Sequence, residues 1–365
     1  MRFQWRFVSS LVLLVLFSGC TTTSSLVQRQ TIRVFYATDR AVNEPSSDHS
    51  ELYGGERGAV TYGVCDVGIP QGHGSAEPDM KFCREPDRKN PDSDAELQGV
   101  NLRSETDFFS ELDQRIKGSP SHSLLLFVHG YNLTFEKAAR NTALFFCDLG
   151  FNGTPLFFSW PSQGAMGKYT IDETNIEWSQ TNLKQFLEAL ARRSGAEDIY
   201  LMAHSMGNRA LTKALAELLH EQPQLKNLFK ALILVAPDID AEIFKRDIAP
   251  KLTDTGTFVT LYASCDDKAL KLSTDIHGYM RAGDISKSSL IVPGVEIIDA
   301  TNVDTGFLGH SYYKRSRQVL SDLSFLINMG VHAGQRRELE SVDTSSGRFW
   351  KFRKEMRDSD PVLSR

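Results

Sequence analysis

The sequence predicts an α/β fold: a mostly parallel central sheet with helices on both faces. Three observations carry this. Apolar runs recur from Leu124 onward without polar alternation, helical stretches separate them, and the residues with chemical reach fall where the runs end. An unbroken apolar run reads as a strand covered on both faces, and its alternation with helices reads as right-handed crossovers.

The chain starts with a segment outside that fold. Arg2 and Arg6 precede the apolar stretch Phe7 to Phe17, and Ser18-Gly19-Cys20 follows. Residues 1–19 read as a secretory signal whose apolar part is too short to span a bilayer. Its end resembles a bacterial lipobox, which implies that Cys20 becomes the first residue and carries lipid. By the same resemblance to bacterial lipoproteins, Thr21 in place of aspartate after the cysteine implies the periplasmic face of the outer membrane rather than inner-membrane retention. A plainly cleaved signal is the alternative. Residues 20–30 form a polar tether.

The main domain is expected over residues 31–328. Thr31 to Ala37 and Val60 to Ile69 read as strands, the second stopped by Pro70. Residues 71–100, rich in Gly, Pro, Asp and Glu, read as a long exposed loop. Buried strands follow at Leu124 to Val128, Pro155 to Trp160, Ile199 to Ala203, Ala231 to Val235, Phe258 to Ala263 and Val295 to Ile298. Helices are expected over Phe135 to Leu149, Ile176 to Arg193, Met206 to His220 and Tyr312 to Asn328. Residues 329–365 are charged, lack an apolar stripe, and read as a peripheral C-terminal extension.

With 365 residues and 41% hydrophobic content the chain can bury a sizeable core. A net charge of −5 gives no reason to expect nucleic acid. Besides Cys20 there are Cys65, Cys83, Cys147 and Cys265. Cys65 and Cys83 flank the polar loop and are placed to pair in an oxidising compartment, whereas Cys147 reads as a buried thiol. No spacing fits a zinc site, and no metal or organic cofactor is expected.

The most informative residue is Ser205. Tyr200-Leu201-Met202-Ala203-His204-Ser205-Met206-Gly207-Asn208 reads as strand, tight turn and helix with serine at the apex. Such a turn pushes the hydroxyl clear of the backbone, where a base and a carbonyl can reach it. Small residues two before and two after, Ala203 and Gly207, let strand and helix backbones approach. A serine N-cap is the bland alternative.

An activated serine needs a base, an acid that orients it, and donors for the oxyanion. The Met206 N–H comes with the turn. The second donor is expected from Val128-His129-Gly130-Tyr131-Asn132, where Gly130 permits a sharp bend and Tyr131 N–H faces the site. His129 is read as holding that loop by hydrogen bonds. The base is expected after the last strand, at His310 in Leu308-Gly309-His310-Ser311. His277, before that strand, is the competitor, and His332 reads as a surface residue. Three aspartates qualify as the acid. Asp267, just before the helix that begins at Lys268, is favoured, with Asp266 and Asp238 as alternatives. Trp160, Tyr131 and Met206 are candidates for an apolar acyl pocket, with Trp160 equally suited to core packing.

These residues resemble a bacterial α/β-hydrolase family of the esterase/lipase superfamily, domain of unknown function 900. The resemblance rests on Phe35-Tyr36-Ala37-Thr38-Asp39-Arg40, Tyr62-Gly63 with Val67-Gly68-Ile69-Pro70, Val128 to Asn132, and Phe158-Ser159-Trp160-Pro161-Ser162. It continues through Ala203 to Asn208, Ala236-Pro237-Asp238, Ser264 to Leu270 and Gly309-His310-Ser311-Tyr312. It implies an α/β-hydrolase fold with Ser205 as nucleophile. Cys265-Asp266 stands where an asparagine commonly precedes the acid, which keeps both neighbouring aspartates open. The expectation is a serine hydrolase of carboxylic esters, acting through Ser205, His310 and Asp267 on a small-molecule or lipid ester. An amidase or peptidase with the same residues, or a non-catalytic envelope scaffold, are the rival readings.

Overall fold

The computed structural model describes residues 29–44, 48–70, 95–286, 290–301, 303, 310–311, 313 and 316–353. The signal, Cys20, most of the tether, Cys83 and residues 71–94 of the polar loop lie outside the described residues.

The strands are β1 (Arg29–Val42), β2 (Tyr53–Pro70), β3 (Glu96–Arg103), β4 (Ser123–Val128), β5 (Thr154–Ser159), β6 (Asp198–His204), β7 (Phe229–Val235), β8 (Phe258–Ala263), β9 (Val295–Asp299), β10 (Leu339–Thr344) and β11 (Gly347–Phe352). Among the described residues they form one sheet of 11 strands in the order β10-β11-β9-β8-β7-β6-β4-β5-β1-β2-β3. Pairing is parallel from β11 through β9, β8, β7, β6, β4 and β5 to β1. Antiparallel pairs occur only toward the two edges, at β1–β2, β2–β3 and β10–β11.

The apolar runs do what two-sided burial requires. In β4, Leu124, Leu126 and Val128 enter one core and Leu125 and Phe127 the other. The first core is closed by α1 (Glu105–Lys117), α3 (Tyr169–Arg193) and α4 (Gly207–Glu221), through residues such as Phe108, Leu183 and Leu211. The second is closed by α2 (Phe135–Leu149) and the C-terminal helix Arg317–Met329, through Phe135, Leu144, Leu320 and Leu323. Helix α2 runs over the expected span because its ends are chemically marked. Thr134 accepts the Lys137 N–H, and Gly150 closes the helix at φ 58°.

Three expectations change. Residues 96–100 of the polar loop belong to β3, which pairs with β2 and buries Val100. The extension beyond 328 supplies the hairpin β10–β11, and β11 lengthens the parallel sheet beside β9. Arg336, fully buried, ties this segment in through Asp322 at 3.0 Å and Glu296 at 2.9 Å. The cysteine reading is also revised. Cys65 is a free, buried thiol whose side chain lies in the second core beside β1, so it makes no bond with Cys83. Cys147 is disulfide-bonded, not a thiol.

Candidate active site

The strand order reverses between β5-β4 and β6-β7, and in open α/β sheets the crevice outside the carboxyl ends at such a point gathers ligands. Ser205 follows β6 there, and His129-Gly130-Tyr131 follows β4.

Ser205 has φ 51°, a left-handed conformation that costs a non-glycine residue on the order of 1–3 kcal/mol. The neighbourhood holds it in place. Ser205 N–H donates to Val235 O at 2.9 Å. Its carbonyl accepts from the Asn208 N–H at 3.2 Å, from Asn208 Nδ2 at 2.9 Å and from the Asp238 N–H at 3.2 Å. Close approach explains the glycines. A Cβ on Gly207 would stand 2.4 Å from His129 O, and one on Gly130 would stand 3.0 Å from the Ser205 Cβ. Helix α4 begins directly behind the serine with no side-chain cap, and its Asn208 and Arg209 N–H groups turn back to Ser205 O and Met206 O at 3.2 and 3.0 Å. The N-cap position belongs to Met206, not to Ser205.

His310 lies beside this turn. Its Nδ1–H donates to Asp267 Oδ2 at 2.7 Å, which leaves Nε2 as the ring's free lone pair. Its carbonyl accepts from His204 Nε2 at 2.8 Å, and the two imidazoles lie 4.6 Å apart. The residue before the serine therefore anchors His310. Asp267 is fully buried and fixed as the N-cap of the helix Lys268–His277, with Oδ1 accepting the Leu270 N–H at 2.9 Å. Burial works against the imidazolium of His310. The adjacent Asp267 carboxylate and, at longer range, Asp238 outweigh it and raise the His310 pKa above its ordinary value.

The other aspartates are engaged elsewhere. Asp266 is exposed. Asp238 is buried and accepts from Tyr169 Oη at 2.5 Å, Ser273 Oγ at 2.6 Å, Arg209 at 3.0 Å and Arg281 at 3.1 Å. Burial alone would raise its pKa, but the two guanidiniums hold it below the usual carboxylate range. The helix cap in this segment is Asp240, which accepts from the N–H groups of Glu242 and Ile243. His277 joins the same cluster, bridging Ser273 O at 2.7 Å and Glu173 Oε1 at 2.6 Å. His332 is exposed and paired with Glu296 at 3.0 Å.

The apolar pocket expectation is corrected in part. Trp160 and Met206 are both fully buried. Trp160 stacks on His129 with ring centroids 5.0 Å apart and donates Nε1–H to His129 O at 2.8 Å. Both side chains belong to the core beneath the turn. Tyr131 is partly exposed, packs on Tyr169 at 5.2 Å between centroids, and donates its hydroxyl to Met166 O. The cavity of about 400 Å³ lined by Tyr200, Lys226, Phe229, Lys230 and Phe258 lies at the amino ends of β6–β8, away from Ser205. Among the described residues no three metal-ligating side chains converge.

Sequence reasoning missed the Asp238 cluster and the tie between His204 and His310. Asp238 looked like a turn residue because its partners Tyr169, Arg209, Ser273 and Arg281 come from four separate segments.

A serine held left-handed at a strand-to-helix turn, at the switch point of a two-sided parallel sheet, defines the α/β-hydrolase fold. The chain belongs to the family described as alpha/beta hydrolase of unknown function (DUF900), whose model matches residues 104–328. None of the curated proteins matches. Among solved structures the chain is similar to a predicted CIB-like hydrolase from Thermoplasma acidophilum, at 14% identity and TM-score 0.35 over 63% of this chain and 91% of that one. It is similar to Est1E from Butyrivibrio proteoclasticus, at 12% identity and TM-score 0.34 over 57% and 87%. An S-formylglutathione hydrolase from Agrobacterium tumefaciens matches at 10% identity and TM-score 0.33 over 83% and 98%.

Proposed function

We propose that this protein is a serine hydrolase of carboxylic esters. Ser205 Oγ attacks the carbonyl while His310 Nε2 takes its proton. Asp267 orients the imidazole and stabilises the imidazolium that forms. The N–H groups of Met206 and Tyr131 hold the oxyanion. Collapse of the tetrahedral intermediate expels the alcohol, protonated by His310, and leaves an acyl-Ser205. Water, deprotonated by His310, then releases the acid. The observation that carries this reading is the 2.7 Å bond from His310 Nδ1 to Asp267, made by a histidine whose carbonyl is tied to the residue before Ser205.

A fluorophosphonate probe tests it. The wild type is expected to label covalently and Ser205→Ala to remain unlabelled. A folded wild type that takes no probe overturns the reading and favours the non-catalytic scaffold. Chromogenic esters compared with matched amides separate esterase from amidase or peptidase. We further propose that Cys20 carries lipid and holds the enzyme at the outer membrane, acting on small-molecule or lipid esters. Cys20→Ser should then move it from the membrane fraction to the soluble fraction, and retention in the membrane would refute the anchor.

A further inference from the structure

The family-like segments Phe35 to Arg40 and Phe158 to Ser162 have no part in the chemistry above, yet they converge on its oxyanion loop. Arg40 is buried, with only 1% of its surface exposed. Its guanidinium donates to Ser159 Oγ at 2.9 Å, Gly54 O at 2.7 Å, Ser162 O at 2.8 Å and Leu133 O at 2.8 Å. Burial lowers its pKa to about 9, with Asp39 and Asp172 opposing the drop, so it is a cation at neutral pH. A buried cation sustained by four acceptors is a costly element, and its position calls for a reason.

The hydrogen-bond directions supply one. Gly130 O can only accept, so His129 Nδ1, 2.8 Å away, carries the hydrogen. Burial and the Arg40 charge push the His129 pKa down to about 3, so the ring is neutral and Nε2 keeps its lone pair. Nε2 therefore accepts from the Ser159 hydroxyl at 3.2 Å, and the Ser159 oxygen accepts from Arg40 Nε. These directions link Arg40 through Ser159 and His129 to Gly130, with the Trp160 backbone also beside the imidazole. The rest of the loop is tied as well. Asn132 N–H donates to Asp172 at 3.3 Å and Leu133 N–H to Ser162 Oγ at 3.1 Å.

We infer that Arg40, Ser159 and His129 are positioning residues that set the Gly130–Tyr131 peptide plane and thereby aim the Tyr131 N–H at the oxyanion. The inference rests on the hydrolase reading above. Its physical content is the trans peptide: carbonyl and N–H of one unit point in opposite directions, and the described chain has no cis bond. The ring of His129 sits against Ser159 and Trp160, on the β5 side of β4. Ser205 lies on the β6 side, with Gly130 packed against it. Pulling Gly130 O toward the imidazole turns Tyr131 N–H toward the serine. Without that pull the peptide is free to present its carbonyl instead, which repels an oxyanion.

The test uses Ser159→Ala, which cuts the chain at its middle, and His129→Phe, which keeps a ring on Trp160 but removes the last donor. Active sites are counted by fluorophosphonate taken to completion. Turnover of a p-nitrophenyl ester and inhibition by a trifluoromethyl ketone, whose adduct carries the oxyanion, are then measured per labelled site. Loss of one oxyanion donor lowers kcat by about 100-fold or more, so a partly released donor is expected to cost about 10- to 100-fold. KM should stay within about twofold, and ketone affinity should fall in parallel with kcat. A merely structural role would lower the number of labelled sites and leave turnover per site unchanged, and that result overturns the inference, as does a kcat loss with unaltered ketone affinity. Should one variant fail to fold, the other decides by the same criteria. A wild type that takes no probe sinks the hydrolase reading and this inference together. A labelled wild type with full turnover per site in the folded variants sinks this inference alone.

Discussion

His310 and Asp267 meet through a 2.7 Å hydrogen bond across 43 positions of sequence, and the carboxylate is fully buried at the start of a helix. The bond has a measurable consequence. Burial lowers the His310 pKa and the Asp267 charge raises it, with the rise prevailing. Because the base must be neutral to accept the serine proton, kcat/KM is expected to rise with pH through a limb above 6.5, the unperturbed histidine value. Asp267→Asn removes the raising charge and leaves burial, so the limb should move to lower pH. It should also lower kcat by about 10⁴-fold, as in the equivalent change to a serine-protease triad, with a much smaller effect on KM. A pH–rate profile of both forms checks the sign. A limb that stays in place in the variant would remove Asp267 from the proposed mechanism.

Gly207 is a second point of leverage. The Cβ of Gly207→Ala would meet His129 O at 2.4 Å and Val128 O at 2.8 Å, backbone atoms at the end of β4 and the start of the loop that carries the proposed oxyanion donor. Neither can swing aside, so the start of α4 must move away from β4. Overpacking of this kind costs about 1–3 kcal/mol. The loss should appear in urea unfolding. The same movement displaces the Met206 N–H from the loop, so fluorophosphonate labelling should slow by more than the fraction unfolded explains. Labelling at the wild-type rate would show that the close approach of strand and helix does not govern the site.

Some of this was legible in the sequence for a physical reason. Buried parallel strands must be apolar throughout, so β4 to β9 announced themselves, and Thr134 with Gly150 marked both ends of α2. The tight turn at Ser205 and the helix start at Asp267 were legible because strand ends and tight turns force particular residue types. Strand β3 was hidden because an edge strand exposed on both sides needs little apolar content, and its burial pattern is mostly open. The Asp238 cluster and the Arg40 chain were hidden because each joins four or more distant segments. Nothing local distinguishes a buried ion pair from a solvated one. The revised reading of Cys65 has the same origin: flanking a polar loop says nothing about which face of β2 the thiol occupies.

The thiols can be checked directly. Cys65 is buried with its pKa pushed well up by burial and by neighbouring Asp66, whereas Cys265 is partly exposed. The thiolate is the reactive species, so maleimide should modify Cys265 in the native protein and leave Cys65 untouched until denaturant is added. Peptide mapping after brief labelling distinguishes the two. Native modification of Cys65 at a rate near that of Cys265 would contradict its placement in the core.

Asp238 links the charged cluster to the serine turn, because its N–H donates to Ser205 O at 3.2 Å while its carboxylate meets Arg209 and Arg281. Asp238→Ala leaves both guanidiniums deprived of this shared partner, and only Arg209 retains Glu173, at 2.7 Å. Removing one member of a buried pair costs about 3–5 kcal/mol, so thermal unfolding at neutral pH should show a large loss. Linkage fixes the pH dependence. The folded pKa of Asp238 lies below its ordinary 3.8, so its contribution is present above the unfolded value and fades as pH falls through the folded one. The stability gap between wild type and variant should therefore narrow only in acid below about pH 4. The variant should also shift the kcat/KM limb slightly downward, since Asp238 is one of the charges that raise His310. A gap that closes between pH 5 and 7 would mean that the carboxylate titrates as an ordinary or raised acid, and that the two arginines do not govern it.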